Sequence, residues 1–153
     1  MVKKVLFLSS ADSVRAQMAV GFVRTLAGDA FDAFSAGTAP HDVHPLAVAV
    51  MAELGIDIAE QRSKSVQEFM GTTRFEFLIT VCDRAEKDCP MFPGVGAREY
   101  WPFDDPEKVE GSPAERLAAF RDVRDEIEAR VRRWLVERRY KRVLELSREG
   151  AAD

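Results

Sequence analysis

Cysteine is scarce in this 153-residue chain: only Cys82 and Cys89 occur. That scarcity excludes a small secreted scaffold held together by disulfides. Long hydrophobic runs are missing too, and no apolar stretch approaches the ~20 residues a membrane-spanning helix needs. The apolar run Val5-Leu6-Phe7-Leu8 is too short for a signal-peptide core, and polar Ser9 and Ser10 follow at once. A cytoplasmic protein without membrane association is therefore expected. Basic residues are outnumbered, 22 Lys and Arg against 26 Asp and Glu, so nucleic acid is not an expected partner. The basic cluster Arg138, Arg139, Lys141 and Arg142 is surrounded by acidic residues and reads as a solvated helix face. His41 and His44 are the only two histidines and have no third ligand of suitable type nearby. No metal and no cofactor are expected. Repeats and low-complexity linkers are absent as well, which leaves one domain with one sizeable core.

What the chain does contain is an alternation of short apolar runs and amphipathic segments. Val5 to Leu8 has the composition of a strand buried on both faces. Met18, Val20, Phe22, Val23 and Leu26 follow at helical spacing, with Gly28 as a stop. Phe31 to Ala36 reads as a second strand and Gly37 to Pro40 as a loop. A second helix is expected from about Pro45 to Leu54, closed by Gly55, and a short third one over Ser63 to Phe69. Phe75 to Val81 and the weaker Arg98 to Trp101 complete the strands. Ser112-Pro113-Ala114-Glu115 is a capping box, opening a helix whose apolar stripe runs through Leu117, Phe120, Val123, Ile127, Val131 and Trp134. Alternating strands and helices predict an α/β protein with a parallel sheet covered on both faces.

Ligands of such sheets bind beyond the carboxyl ends of the strands, where Ser9-Ser10-Ala11-Asp12-Ser13-Val14-Arg15 lies. Successive amides in a turn of this kind can converge on an anion, helped by the following helix N-terminus. Arg15 adds a fixed charge and a fork suited to oxyanions. Many strand-to-helix turns share these features, so the turn alone leaves ordinary loop geometry open.

The wider chain narrows the choice. Gln17-Met18-Ala19, Ser35-Ala36-Gly37-Thr38, His44-Pro45-Leu46-Ala47 and Met51 to Asp57 occur in order after the loop. Gln61-Arg62-Ser63-Lys64-Ser65, Ile79-Thr80-Val81-Cys82-Asp83 and Cys89-Pro90 follow. Together they resemble the thioredoxin-coupled arsenate reductases of the low-molecular-weight protein tyrosine phosphatase superfamily. The resemblance covers residues 3 to about 136, leaving 137–153 as a C-terminal helical extension. It implies a four-stranded parallel sheet flanked by helices, the three-layer phosphotyrosine phosphatase I fold.

It also implies a chemistry. In the family a cysteine opens the loop and attacks arsenate held by the amides and the arginine, matching Arg15. A second cysteine, matching Cys82, attacks the first and releases arsenite. A third, matching Cys89, takes over the disulfide, which thioredoxin reduces. An aspartate before proline, matching Asp105, protonates the leaving oxygen. Here Ser9 stands at the nucleophile position. Ala11 replaces the usual glycine, Asp12 the usual asparagine, Ala16 a supporting serine and Val20 a common glutamate.

A serine hydroxyl does not ionise near neutral pH as a thiol does, and it cannot form the disulfide. Ala11 costs ~1 kcal/mol where its position needs a positive φ; Asp12 tolerates one better than most residues. The Asp12 carboxylate costs an oxyanion at most ~4 kcal/mol per unit charge at ~4 Å and an effective dielectric of ~20, and less if it points away. The expected protein is arsenate-reductase-like, lacks normal thiol catalysis, and retains oxyanion binding (phosphate, sulfate or arsenate) through Arg15 and the loop Ser10, Ala11, Asp12, Ser13 and Val14. Two alternatives stand beside it. One is an active reductase or phosphatase using a modified route with Ser9 as nucleophile; the other is a redox or oxyanion-sensing module using Cys82 and Cys89. Thioredoxin is the protein partner the resemblance suggests. Trp101, Phe103 and Phe92 either wall the site or pack as core.

Overall fold

The computed structural model describes residues 2–88, 95–138 and 140. Val5 to Leu8 are all fully buried, which requires cover on both faces of the strand they form. That strand is β1 (Lys3–Ser9), followed by α1 (Arg15–Ala27), β2 (Phe31–Gly37), α2 (Pro45–Ala52), β3 (Phe77–Thr80), α3 (Asp83–Asp88), β4 (Ala97–Tyr100) and α4 (Pro113–Glu137). The four strands form one sheet in the order β2-β1-β3-β4, and every pairing is parallel. Phe7 of β1, for example, lies between Ser35 of β2 and Ile79 of β3.

Side chains alternate across the sheet with period two. Val5, Phe7, Ala33, Phe77 and Ile79 join a core with residues of α1, α2 and α4. Leu6, Leu8, Ala36 and Leu78 join a second core with Val66, Phe75 and Ala85 of α3. The expected three-layer α/β arrangement is therefore present. The capping box also forms as expected: Glu115 N donates to Ser112 Oγ at 3.1 Å, and Ser112 N donates to Glu115 Oε1 at 3.3 Å. Phe120, Val123, Ile127, Val131 and Trp134 are the buried stripe of α4. Each contributes roughly 1.5–3 kcal/mol of hydrophobic stabilisation.

Some boundaries differ from the sequence expectation. The segment expected to be a helix over Ser63 to Phe69 holds only a three-residue 3-10 turn, Val66–Glu68, capped by Ser65. Its first part is extended instead, with Gly37 N donating to Lys64 O at 2.8 Å and a parallel bridge between Gly37 and Ser65. Helix α3 was not foreseen, because Asp83-Arg84-Ala85-Glu86-Lys87-Asp88 has no apolar period. Its presence follows from topology, since parallel β3 and β4 require a crossover. Helix α2 stops at Ala52 and passes through a turn to Gly55, whose φ of +75° suits glycine. Beyond α4, Tyr140 folds back: its ring packs on Phe31 and its hydroxyl contacts Asp29. Residues 141–153, which hold most of the expected extension, lie outside the described residues, as do Cys89 and Phe92. Among the described residues no helix is long and apolar enough to cross a membrane.

Candidate functional site

The strand order places a topological switch point between β1 and β3, and Ser9 and Cys82 sit just at or beyond their carboxyl ends. Between β1 and α1 the backbone turns sharply through Ser10 to Val14. Its carbonyls are committed outward. Ser9 O accepts from Thr38 N, Ser10 O from Ala39 N at 2.8 Å, Ala11 O from His41 N at 2.8 Å, and Ser13 O from His44 N at 2.9 Å. Ser63 Oγ also donates to Ala11 O at 2.9 Å, and Gln17 Nε2 donates to Asp12 O at 3.1 Å. In a trans peptide the N–H lies opposite the C=O. Outward carbonyls therefore turn the amides of Ser10, Ala11, Ser13 and Val14 toward the loop interior. Asp12 N donates to Ser9 Oγ at 2.9 Å, which holds that hydroxyl against the turn at the edge of the cavity the loop lines. The loop lies directly on Gly37, where an added Cβ would meet Ser10 O at 2.7 Å and Asp12 N at 3.0 Å.

The positive φ of the loop belongs to Asp12, at 51°, while Ala11 has none, so the cost anticipated for Ala11 does not arise. The Asp12 carboxylate is 0% exposed and turns away from the loop interior. It accepts from Gln17 Nε2 at 2.9 Å and from Lys64 N at 2.9 Å, and lies 3.6 Å from Lys64 Nζ. Lys64 Nζ also donates to Ser35 Oγ at 3.2 Å and contacts Arg62 O. Burial pushes the Asp12 carboxyl up to about 6, against the pull of Lys64. Burial likewise lowers the Lys64 ammonium, with Asp12 opposing. Each charge of the pair is thus disfavoured by the dry surroundings and partly restored by its partner. Gln17 links this clamp to Gln61, whose Nε2 donates to Gln17 Oε1 at 2.7 Å.

At the mouth, Arg15 is nearly buried. Its Nη1 donates to Phe103 O at 2.9 Å, and its Nη2 stands 3.8 Å from Asp105 Oδ2. A guanidinium has five N–H donors, so these two partners leave several for a ligand. Asp105 caps the turn Pro106–Lys108, its Oδ1 accepting from Glu107 N at 2.9 Å. Ser13 Oγ donates to Glu107 Oε1 at 3.3 Å. Ser9, Ser10, Arg15, His41, Asp105 and Glu107 are among the residues lining a small cavity of about 200 Å3. It shares Ser10, Arg15 and Asp105 with a cleft of about 710 Å3 that reaches Cys82, Arg84 and Phe103. Cys82 is a buried free thiol whose Sγ accepts from Ala85 N at 3.3 Å.

The fold thus gathers Ser9, Arg15, Cys82 and Asp105 at one end of the sheet, with Cys89 outside the described residues. Ser10, Ala11, Ser13 and Val14 line the small cavity beside them, while Asp12 supports it from behind. Trp101 packs against Phe7 in the core and does not wall the cleft, whereas Phe103 does. His44 caps α2 through Nδ1 and Leu46 N at 3.0 Å, while His41 lines the small cavity. Among the described residues no group of three or more His, Cys, Asp or Glu could hold a metal. Sequence reasoning missed Glu107, Phe103 O and the Lys64 clamp. Lys64 and Gln17 stood inside matched segments, but long-range partners leave no local pattern.

A four-stranded parallel sheet carrying a seven-residue strand-to-helix loop closed by arginine defines a phosphatase-like class of protein. Residues 4–149 match the family model described as low molecular weight phosphotyrosine protein phosphatase. An arsenate reductase of Halalkalibacterium halodurans is 43% identical over 133 residues, covering 86% of this chain and 95% of that protein. The arsenate reductase of Bacillus subtilis is 38% identical over 130 residues, covering 85% and 93%. A solved arsenate reductase in the phosphate binding state superposes with a TM-score of 0.76 at 32% identity, covering 89% of this chain and 98% of that one. The chain belongs to the low molecular weight phosphotyrosine protein phosphatase family, on its arsenate reductase branch.

Proposed function

We propose that this protein binds a small tetrahedral oxyanion in the loop 9–15 and does not carry out thiol-based arsenate reduction. The observation that carries the reading is Ser9. Its Oγ accepts from Asp12 N at the first position of the loop, where the family chemistry requires a sulfur. Oxyanion binding is supported by the inward amides, by the N-terminus of α1 and by the donors Arg15 retains. Loss of the cycle follows from chemistry. Transfer from Ser9 to Cys82 and on to Cys89 cannot begin without a thiolate at the first position, so coupling to thioredoxin has no disulfide to reduce by that route.

The test pairs activity with binding. Wild type should show no thioredoxin-coupled arsenate reduction and no hydrolysis of an aryl phosphate. Ser9→Cys should gain measurable aryl phosphate hydrolysis, because Arg15, Asp105 and the loop residues line one cavity with position 9. Phosphate or arsenate should raise the melting temperature of wild type, and Arg15→Ala should abolish that rise. Wild-type turnover that disappears in Ser9→Ala would instead establish Ser9 as a working nucleophile and overturn the reading.

A further inference from the structure

The mouth of the loop carries an unusual charge balance for an oxyanion site. Among the residues lining the small cavity, Arg15 is the one Arg or Lys, and it is matched by two carboxylates, Asp105 and Glu107, with His41 at the rim. Glu107 Oε1 accepts from Ser13 Oγ at 3.3 Å. Asp105 is held by Glu107 N at 2.9 Å and by its approach to Arg15 at 3.8 Å. Both acids thus line the cavity into which the loop amides and Arg15 face.

An ionised carboxylate only accepts hydrogen bonds. A ligand oxygen meeting it must carry a proton or face unrelieved repulsion between two acceptors. Inside the loop the demand is opposite, because amides and Arg15 require bare oxygens. A ligand satisfying both has deprotonated oxygens on its inner side and a hydroxyl on its outer side. Phosphate and arsenate keep such a proton near neutral pH; sulfate has none. We infer that Glu107, together with Asp105, is a specificity device selecting proton-bearing oxyanions over fully deprotonated ones. The inference rests on the oxyanion-binding reading above and names the ligand class for that same site. A hydroxyl donating to an anchored carboxylate forms a short, strong bond. Sites built to receive a ligand hydrogen reject analogues that lack it.

Titration calorimetry on the full chain, near neutral pH and at matched ionic strength, tests this with inorganic phosphate, arsenate and sulfate as probes. Wild type should bind phosphate and arsenate at least tenfold more tightly than sulfate. Glu107→Gln, which can donate to sulfate, should narrow that gap at least threefold. Glu107 is exposed, so the variant should fold, as circular dichroism would verify. Equal wild-type affinity for sulfate and phosphate would overturn the inference while leaving oxyanion binding intact. An unchanged gap in Glu107→Gln would remove Glu107 from the role. Failure of wild type to bind any of the three anions would overturn the oxyanion reading itself.

Discussion

Between about pH 4 and pH 7, ionisation of Asp12 should cost the folded state about 2 kcal/mol, most of the ~3 kcal/mol that the whole shift represents at 1.36 kcal/mol per tenfold change in proton affinity. The figure comes from the burial of its carboxylate, which moves the group from an ordinary 3.8 to about 6 despite Lys64 at 3.6 Å. The folded state holds its proton more tightly than the unfolded chain, so the sign is fixed. Asp12 contributes most to stability below 3.8, and the contribution is lost as pH rises through about 6. Other carboxylates act the opposite way: hydrogen bonds from Arg62 hold Glu68 low, and those from Arg121 hold Glu53 low. A single pH curve would therefore mix the effects, and a reference is needed. Asp12→Asn supplies it, because asparagine tolerates the left-handed backbone and does not titrate. Its amide faces donors from Gln17 and Lys64, which lowers stability on its own account, so the change with pH and not the absolute gap carries the comparison. Urea unfolding of both proteins at several pH values gives the measurement. The wild-type minus variant difference should fall by about 2 kcal/mol from pH ~4 to pH ~7. Parallel curves would refute the argument that burial, rather than pairing with Lys64, governs this carboxylate.

Two further outcomes are expected. Gly37→Ala puts a methyl group against backbone of the loop at 2.7 Å, so it should cost about 1–3 kcal/mol in urea unfolding and abolish the thermal shift given by phosphate. A full phosphate response in that variant would show that the loop does not depend on the close approach. Ser112→Ala removes the cap of α4 far from the loop, and should cost about 1 kcal/mol with anion binding unchanged. An unaltered urea midpoint would mean the capping box is energetically idle.

Much of the architecture was legible in the residues because it rests on local or periodic signals. The strand at Val5 to Leu8, the stripe from Phe120 to Trp134 and the Ser112 cap each announce themselves within a few positions. The seven-residue loop ending at Arg15 was legible through its small residues and its place after a strand. The helix expected over Ser63 to Phe69 failed for a nonlocal reason. Gly37 draws Lys64 into an extended pairing, and Lys64 in turn reaches Asp12, 52 positions away. Helix α3 was invisible because topology, not amphipathicity, requires it. Glu107 carries no local signal, because its partner Ser13 lies 94 positions away.

The carbonyls of the loop are held by Thr38, Ala39, His41 and His44, and its acidic hinge by Gln17 and Lys64. None of these partners belongs to the reacting set. The mould is thus cast by its surroundings, and the residue that opens it can change without the cast losing its form. Shape and reactivity are therefore held by different residues: a change at position 9 alters what the loop can do and leaves these bonds in place.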